Sequence, residues 1–110
     1  MTDDEVMKKD QEWFEKAKQE GRLKENPTED HKAGLRTMQN PVRRNILKSL
    51  GESKMSFDDI KAEFKLNDMQ AKLHLGMLED TLYIEKEDDS IYIITPRGEA
   101  FLVNVEPKHL

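Results

Sequence analysis

Cysteine is absent from the 110 residues. Its absence removes disulfides, thiolate metal sites and cysteine nucleophiles together. No apolar run approaches the roughly 20 residues that a membrane-spanning helix needs. The first ten residues, "MTDDEVMKKD", hold no apolar core and are acidic where a secretory signal would be basic, so a cytoplasmic protein is expected. A positive excess is missing too: the formal net charge is -5, the wrong sign for a typical nucleic-acid binder. Hydrophobic residues make up only 35% against 37% charged, which is lean for a core and implies an exposed arm or a partner. The length fits a single folded unit.

The charge is not evenly spread. Residues 1–40 hold 10 acids and 8 bases, residues 41–81 hold 7 of each, and residues 82–110 hold 6 and 3. The middle is neutral and both ends are acidic, so the net charge does not exclude a local basic patch.

In "DDEVMKKDQEWFEKAKQEG" Val6, Met7, Trp13, Phe14 and Ala17 fall on one helical stripe, with Gly21 as a stop. Two large aromatics in so polar a segment predict docking on the rest of the chain or on a second copy. "RLKENPTED" reads as a linker, so residues 1–27 form a helix and linker ahead of a domain at 28–110. Thr28 is placed to cap a short helix. Asn40 and Pro41 mark a cap and first turn, and the next helix carries Val42, Ile46, Leu47 and Leu50 inward and ends at Gly51. Ser56 and Asp59 resemble a capping box before Phe57, Ile60 and Phe64. After the turn "KLN", Asn67 caps a helix whose inward stripe is Ala71, Leu75 and Leu78. From Leu82 the period shortens: "LYIEKEDDSIYIIT" reads as a hairpin, and Thr95-Pro96 opens a last helix anchored by Phe101 and Leu102.

Three helices followed by a hairpin is the order of a winged helix-turn-helix, giving a mainly α fold with a small β-hairpin and an added N-terminal helix. Two stretches go further. "LRTMQNPVRRNILKSLGE" resembles the first core helix of the ArsR-like family of prokaryotic regulators. "LNDMQAKLHLGMLEDTLYIEKEDDSIYIITPRGEAF" resembles their turn, reading helix, wing and Thr-Pro-x-Gly turn, with His74-Leu75 at the family's His-Leu pair. The likeness covers residues 33–103. It implies a homodimeric DNA-binding transcription regulator, with residues 67–80 as recognition helix and 82–95 as wing. The chain departs from the family in three ways. It has no metal-binding cysteine; Thr81 stands where glycine is common; and "MQAKL" replaces the usual Ser, Thr and Arg of the reading helix. His31, His74 and His109 form no ligand cluster, so neither metal nor cofactor is expected, and the effector is not legible.

The candidate DNA-binding residues are Asn67, Met69, Gln70, Lys72, Leu73 and His74. Gln suits adenine, Lys suits guanine or phosphate, and the apolar pair suits thymine methyls. Arg43, Arg44 and Lys86 are candidate phosphate contacts, and Trp13 and Phe14 a candidate interface. Each has a plainer alternative. The face Met69, Leu73, Gly76 and Met77 could be covered by the Trp13/Phe14 helix, or could anchor a protein partner with little DNA binding. His74 could be structural, and most of the cations solvated. The wing "EKEDDS" surrounds Lys86 with acid and is read as a solvated turn. No nucleophile setting or phosphate loop appears, so no enzyme is expected.

Overall fold

The computed structural model describes residues 3–23 and 26–105. Helix α1 spans Asp3–Gln19, α2 Pro27–Met38, α3 Pro41–Glu52, α4 Phe57–Phe64, α5 Asp68–Asp80 and α6 Pro96–Val105. Strands β1 (Met55–Ser56), β2 (Ile84–Lys86) and β3 (Ile91–Ile94) form an antiparallel sheet in the order β1-β3-β2. Mainly helical with a small sheet, it is the architecture that the residue pattern predicts. Strand β1 is an addition: two residues are too few to show an alternation, and they pair only because Met55 and Ser56 lie opposite Tyr92 and Ile91.

Local chemistry sets the helix starts. Asn40 accepts from the N–H groups of Val42 and Arg43, at 2.8 and 3.2 Å. Ser56 Oγ accepts from Asp59 N at 3.0 Å. For α2 the cap is Asn26 rather than Thr28: Asn26 Oδ1 accepts from Thr28 N at 2.9 Å, with Pro27 at the first helical position. Gly51 does not end α3, which runs on to Glu52. Instead a Cβ there would lie 2.9 Å from Leu102 Cδ1, so glycine eases the close crossing of α6.

Inward stripes meet as their spacing demands. Ile46, Leu47 and Leu50 of α3, Ile60 of α4 and Leu75 and Leu78 of α5 are buried together with Met38, Tyr83, Ile84 and Tyr92. Helix α1 packs along α6 and adds Val6, Trp13 and Ala17 to the buried set. Those three sit at i, i+7 and i+11; Met7 and Phe14, one position on, stay 42% and 41% exposed. Trp13 therefore docks within its own chain, and of the two aromatics only Phe14 faces out. The indole N–H of Trp13 has no hydrogen-bond partner among the described residues. Arg22 stacks over the ring, 5.5 Å from its centroid, and reaches Glu85 on β2 at 3.5 Å.

Two non-glycine residues have left-handed backbones, Lys65 (φ 54°) and Leu82 (φ 64°). Leu82 closes α5: its N–H donates to Glu79 O at 2.9 Å and that of Tyr83 to Leu78 O at 3.0 Å, the paired bonds of a Schellman turn. The position that favours glycine is thus Leu82, one residue beyond Thr81, which stays at φ -95° and bonds its hydroxyl back to Met77 O at 2.8 Å. Lys65 is exposed and ends α4 in the same conformation, so its side chain loses little packing if removed. Lys65→Gly should raise stability by about 0.5–1 kcal/mol, read as a higher melting temperature. An unchanged or lower value would show that the turn does not strain this residue.

Candidate nucleic-acid interface

Helices α4 and α5, joined at the left-handed Lys65, form the helix-turn-helix unit. Burial of Ala71, Leu75 and Leu78 fixes the rotation of α5 and turns Met69 and Leu73 outward, 80% and 58% exposed. Gly76 lies on the same side, with open space beside it. Helix α1 packs on α6 and leaves this face bare, so the Trp13/Phe14 helix is not its cover.

The first turn of α5 is held by a complete capping box. Asn67 Oδ1 accepts from Gln70 N at 2.8 Å, and Gln70 Oε1 accepts from Asn67 N at 3.0 Å. Bidentate recognition of adenine needs both ends of the Gln70 amide, so reading by Gln70 would require half of this box to open. Asp68 forms an ion pair with Lys61 of α4. Their hydrogen bond raises the lysine pKa and lowers that of the aspartate. Lys72 is exposed and borders a cleft of about 540 Å³ between α5, the start of α4 and the wing.

That cleft is lined on one side by Lys72, Leu75 and Glu79 and on the other by Lys86, Asp89, Ser90 and Tyr92, with Asp58 at the α4 end. Lys86 leans over Tyr92, 5.7 Å from the ring centroid, rather than projecting from the wing tip. Burial raises the Glu79 carboxyl pKa, against the opposing pull of Lys86. At the tip Asp88 Oδ1 accepts from Ser90 N and Ile91 N at 2.9 and 3.1 Å, so this acid builds the turn. Glu87 pairs with Lys54 at 3.1 Å. The acidic wing is therefore partly structural, and the cleft holds three carboxylates against two ammonium groups.

The two arginines expected to contact phosphate are placed differently. Arg43 is only 8% exposed. Its Nε donates to Thr37 O at 2.7 Å, Nη2 to Arg36 O at 3.4 Å, and Nη1 to His74 Nδ1 at 3.2 Å. Arg44 Nη1 donates to Met38 O at 2.7 Å. Carbonyls 36 to 38 lie in the last turn of α2, where the helix leaves acceptors short of donors and a C-terminus favours a cation. Arg43 is thus withdrawn from any DNA surface, and Arg44, half-buried, is partly committed. From sequence alone nothing tells a capping arginine from a phosphate-binding one, since the carbonyls it meets carry no side-chain signature.

His74 is the α5 end of this link. Arginine can only donate, so Nδ1 accepts and the ring proton sits on Nε2. Burial first, and then the Arg43 charge, lower the His74 pKa below the ordinary imidazole value. The unfolded chain takes up a proton as pH falls through about 6.5, while the folded ring resists it. The contribution to stability is therefore full above that pH and is lost as pH falls below it. Urea melts at about pH 7.5 and about pH 5.5 should show a loss of stability that is smaller in His74→Gln. Equal losses in both proteins would remove His74 from the account.

Sequence reasoning missed a second buried contact. Arg97 of α6 binds Asp30 of α2 through two bonds, 3.2 and 2.5 Å, with both side chains less than one-fifth exposed. The two lie 67 residues apart, so no local pattern joins them. The described residues contain no group of three His, Asp or Glu able to hold a metal ion, and no helix long and apolar enough to cross a membrane.

No protein-family model matches the sequence, and no curated protein is significantly similar to it. Among solved structures the chain is similar to reduced HlyU from Vibrio cholerae N16961, with a TM-score of 0.57 and 18% identity over 74% of this chain and 92% of that one. Identity that low speaks to fold alone. With the α4–α5 unit and the β2–β3 hairpin in place, the chain has a winged helix-turn-helix fold.

Proposed function

We propose that this chain is a DNA-binding transcription regulator of ArsR-like type that lays α5 in a major groove. The observation that carries the reading is the bare outward face of α5: the fold buries one stripe of the helix and leaves Met69, Lys72 and Leu73 exposed. Lys72 meets phosphate or guanine, and Met69 and Leu73 meet thymine methyls. The chain resides in the cytoplasm and performs no catalysis. Asn67 and Gln70 hold the first turn, and His74 acts through Arg43 rather than on a base. The similar HlyU structure is of a reduced form, but this sequence has no cysteine, so no thiol chemistry is carried over.

The supply of phosphate-binding charge is small. Arg43 is buried, and Lys72 and Lys86 share their cleft with Asp58, Glu79 and Asp89. The slope of log K against log salt on duplex DNA should correspond to only about two to three neutralised phosphates per protomer. Lys72→Ala should weaken binding about threefold to tenfold on every sequence, and Asp89→Lys should strengthen it. Gel shifts at several salt concentrations measure all three. A steep slope, or a Lys72→Ala protein that binds like wild type, sinks the reading. The 80% exposure of Met69 also favours a second reading, a protein-binding module anchored by Met69, Leu73 and Met77. An absence of any shift at low salt would transfer the face to it.

The working unit is a homodimer, with its contact on the outer side of α1. Trp13 is spent inside the protomer, so Phe14 and Met7 are the residues left to meet a second copy. Phe14→Glu should leave the melting temperature of a dilute sample nearly unchanged and shift the sedimentation profile from dimer to monomer. A wild-type monomer at tens of micromolar would refute the dimer.

A further inference from the structure

Helix α4 brings a further cation to the start of α5. Lys61 lies in the last turn of α4, with its ammonium over the Phe57 ring, 5.5 Å from the centroid. That ammonium is bound by Asp68, the first residue of α5. Asp68 directly precedes Met69, which is 80% exposed on the outward face. Lys72 follows four residues later and so lies on the same side of the helix as Asp68. The pKa of Asp68 is lowered by the Lys61 bond first and by the nearby charge of Lys72 as well. Asp58 adds a second acid beside Lys61. The junction of α4 and α5 thus gathers two lysines and two aspartates, and both lysines act on Asp68.

We propose that Lys61 is a further contact for DNA phosphate, held in reserve by Asp68, from which the duplex must take it. The inference rests on the DNA-binding reading and adds to it a residue of α4. Position carries it. In a helix-turn-helix the second helix enters the major groove by its N-terminal residues, while the first crosses the phosphate backbone. A cation on α4 that is bonded to the first residue of α5 stands where those two surfaces meet. Exposure makes the exchange feasible. The Asp68 side chain is 66% exposed, and an ion pair so open to water is weak, so a row of phosphates can compete for the ammonium. Arg43 differs in this respect, because its bond to the Thr37 carbonyl is buried. Counter-ions give the reserve a signature. A free lysine that meets a phosphate releases about one cation from DNA. A lysine that must first leave a carboxylate uncovers Asp68, which gathers a cation, and the two changes nearly cancel. Lys61 therefore adds little to the salt dependence of the wild type, and adds to it fully once residue 68 is neutral.

The test measures gel shifts of the full chain on one duplex at several salt concentrations. Wild type, Asp68→Asn, Lys61→Gln and the double variant are compared, and melting temperatures confirm that all four fold. Asp68→Asn should bind about threefold to tenfold more tightly at low salt, with a slope of log K against log salt steeper by about one phosphate. Lys61→Gln should cost at least about threefold more affinity in the Asp68→Asn background than in the wild type. That coupling separates a released contact from the plain loss of an acid, which would act alike in both backgrounds. An Asp68→Asn protein that binds like a DNA-binding wild type overturns the contact and leaves the DNA reading standing. A gain that the double variant keeps in full does the same. No shift by either wild type or Asp68→Asn overturns both.

Discussion

The Arg43 guanidinium is the point on which the arrangement of α2, α3 and α5 depends. It stands on α3, takes two carbonyls at the end of α2 and reaches His74 on α5. Three helices are thus referred to one planar group with fixed donor directions. A lysine could supply the charge but not the fork. Removing the side chain would take the donor from the buried Thr37 carbonyl and from the imidazole, a loss on the order of a few kcal/mol. The burial that lowers the pKa of Arg43 is compensated by these partners, and the same burial keeps it from solvent and from any DNA.

A second buried cation orders the other side. Arg97 joins α6 to α2 through Asp30 and lies against Tyr83, while α1 packs along α6 and brings Asp10 into the same neighbourhood. Burial raises the Asp10 carboxyl pKa, and the nearby Arg97 only partly opposes this. Three arginines therefore do related work at opposite ends of α2: Asp30 near its start is held by Arg97, and its last carbonyls by Arg43 and Arg44. An element of 12 residues with few apolar side chains is thus held by charge-assisted bonds at both ends in addition to burial.

The sequence made the helices, their inward stripes and the hairpin legible, because period and caps are local. Ile46, Leu47 and Leu50, then Leu75 and Leu78, declare their face within two turns. What stayed hidden was long-range or too short. Strand β1 has two residues; Asp30 and Arg97 are paired only by the fold; and the destination of Arg43 is a set of backbone carbonyls. The outward face of α5 was readable from angle alone, and Met69 and Leu73 lie where that angle puts them. The angular reading overreached on α1, where Trp13 and Phe14 look like one stripe but lie on either side of its edge. The angle is silent on the second task of Gln70, whose amide completes the cap of α5.

Leu82 has a consequence for how the wing is attached. A leucine stands at the position of a Schellman turn where glycine is at ease, and it holds a left-handed backbone that costs an L-residue about 1–2 kcal/mol. The two bonds of the turn offset part of that cost. Thr95 does so from outside, its hydroxyl donating to Leu82 O at 2.7 Å and its N–H to Tyr83 O at 3.0 Å. The root of the wing is thus under slight tension and is clamped from the far end of the hairpin, 13 residues later. When the clamp opens, the backbone gains by relaxing. Amide exchange at Leu82 and Tyr83 is therefore expected to run ahead of exchange in the buried middle of α5.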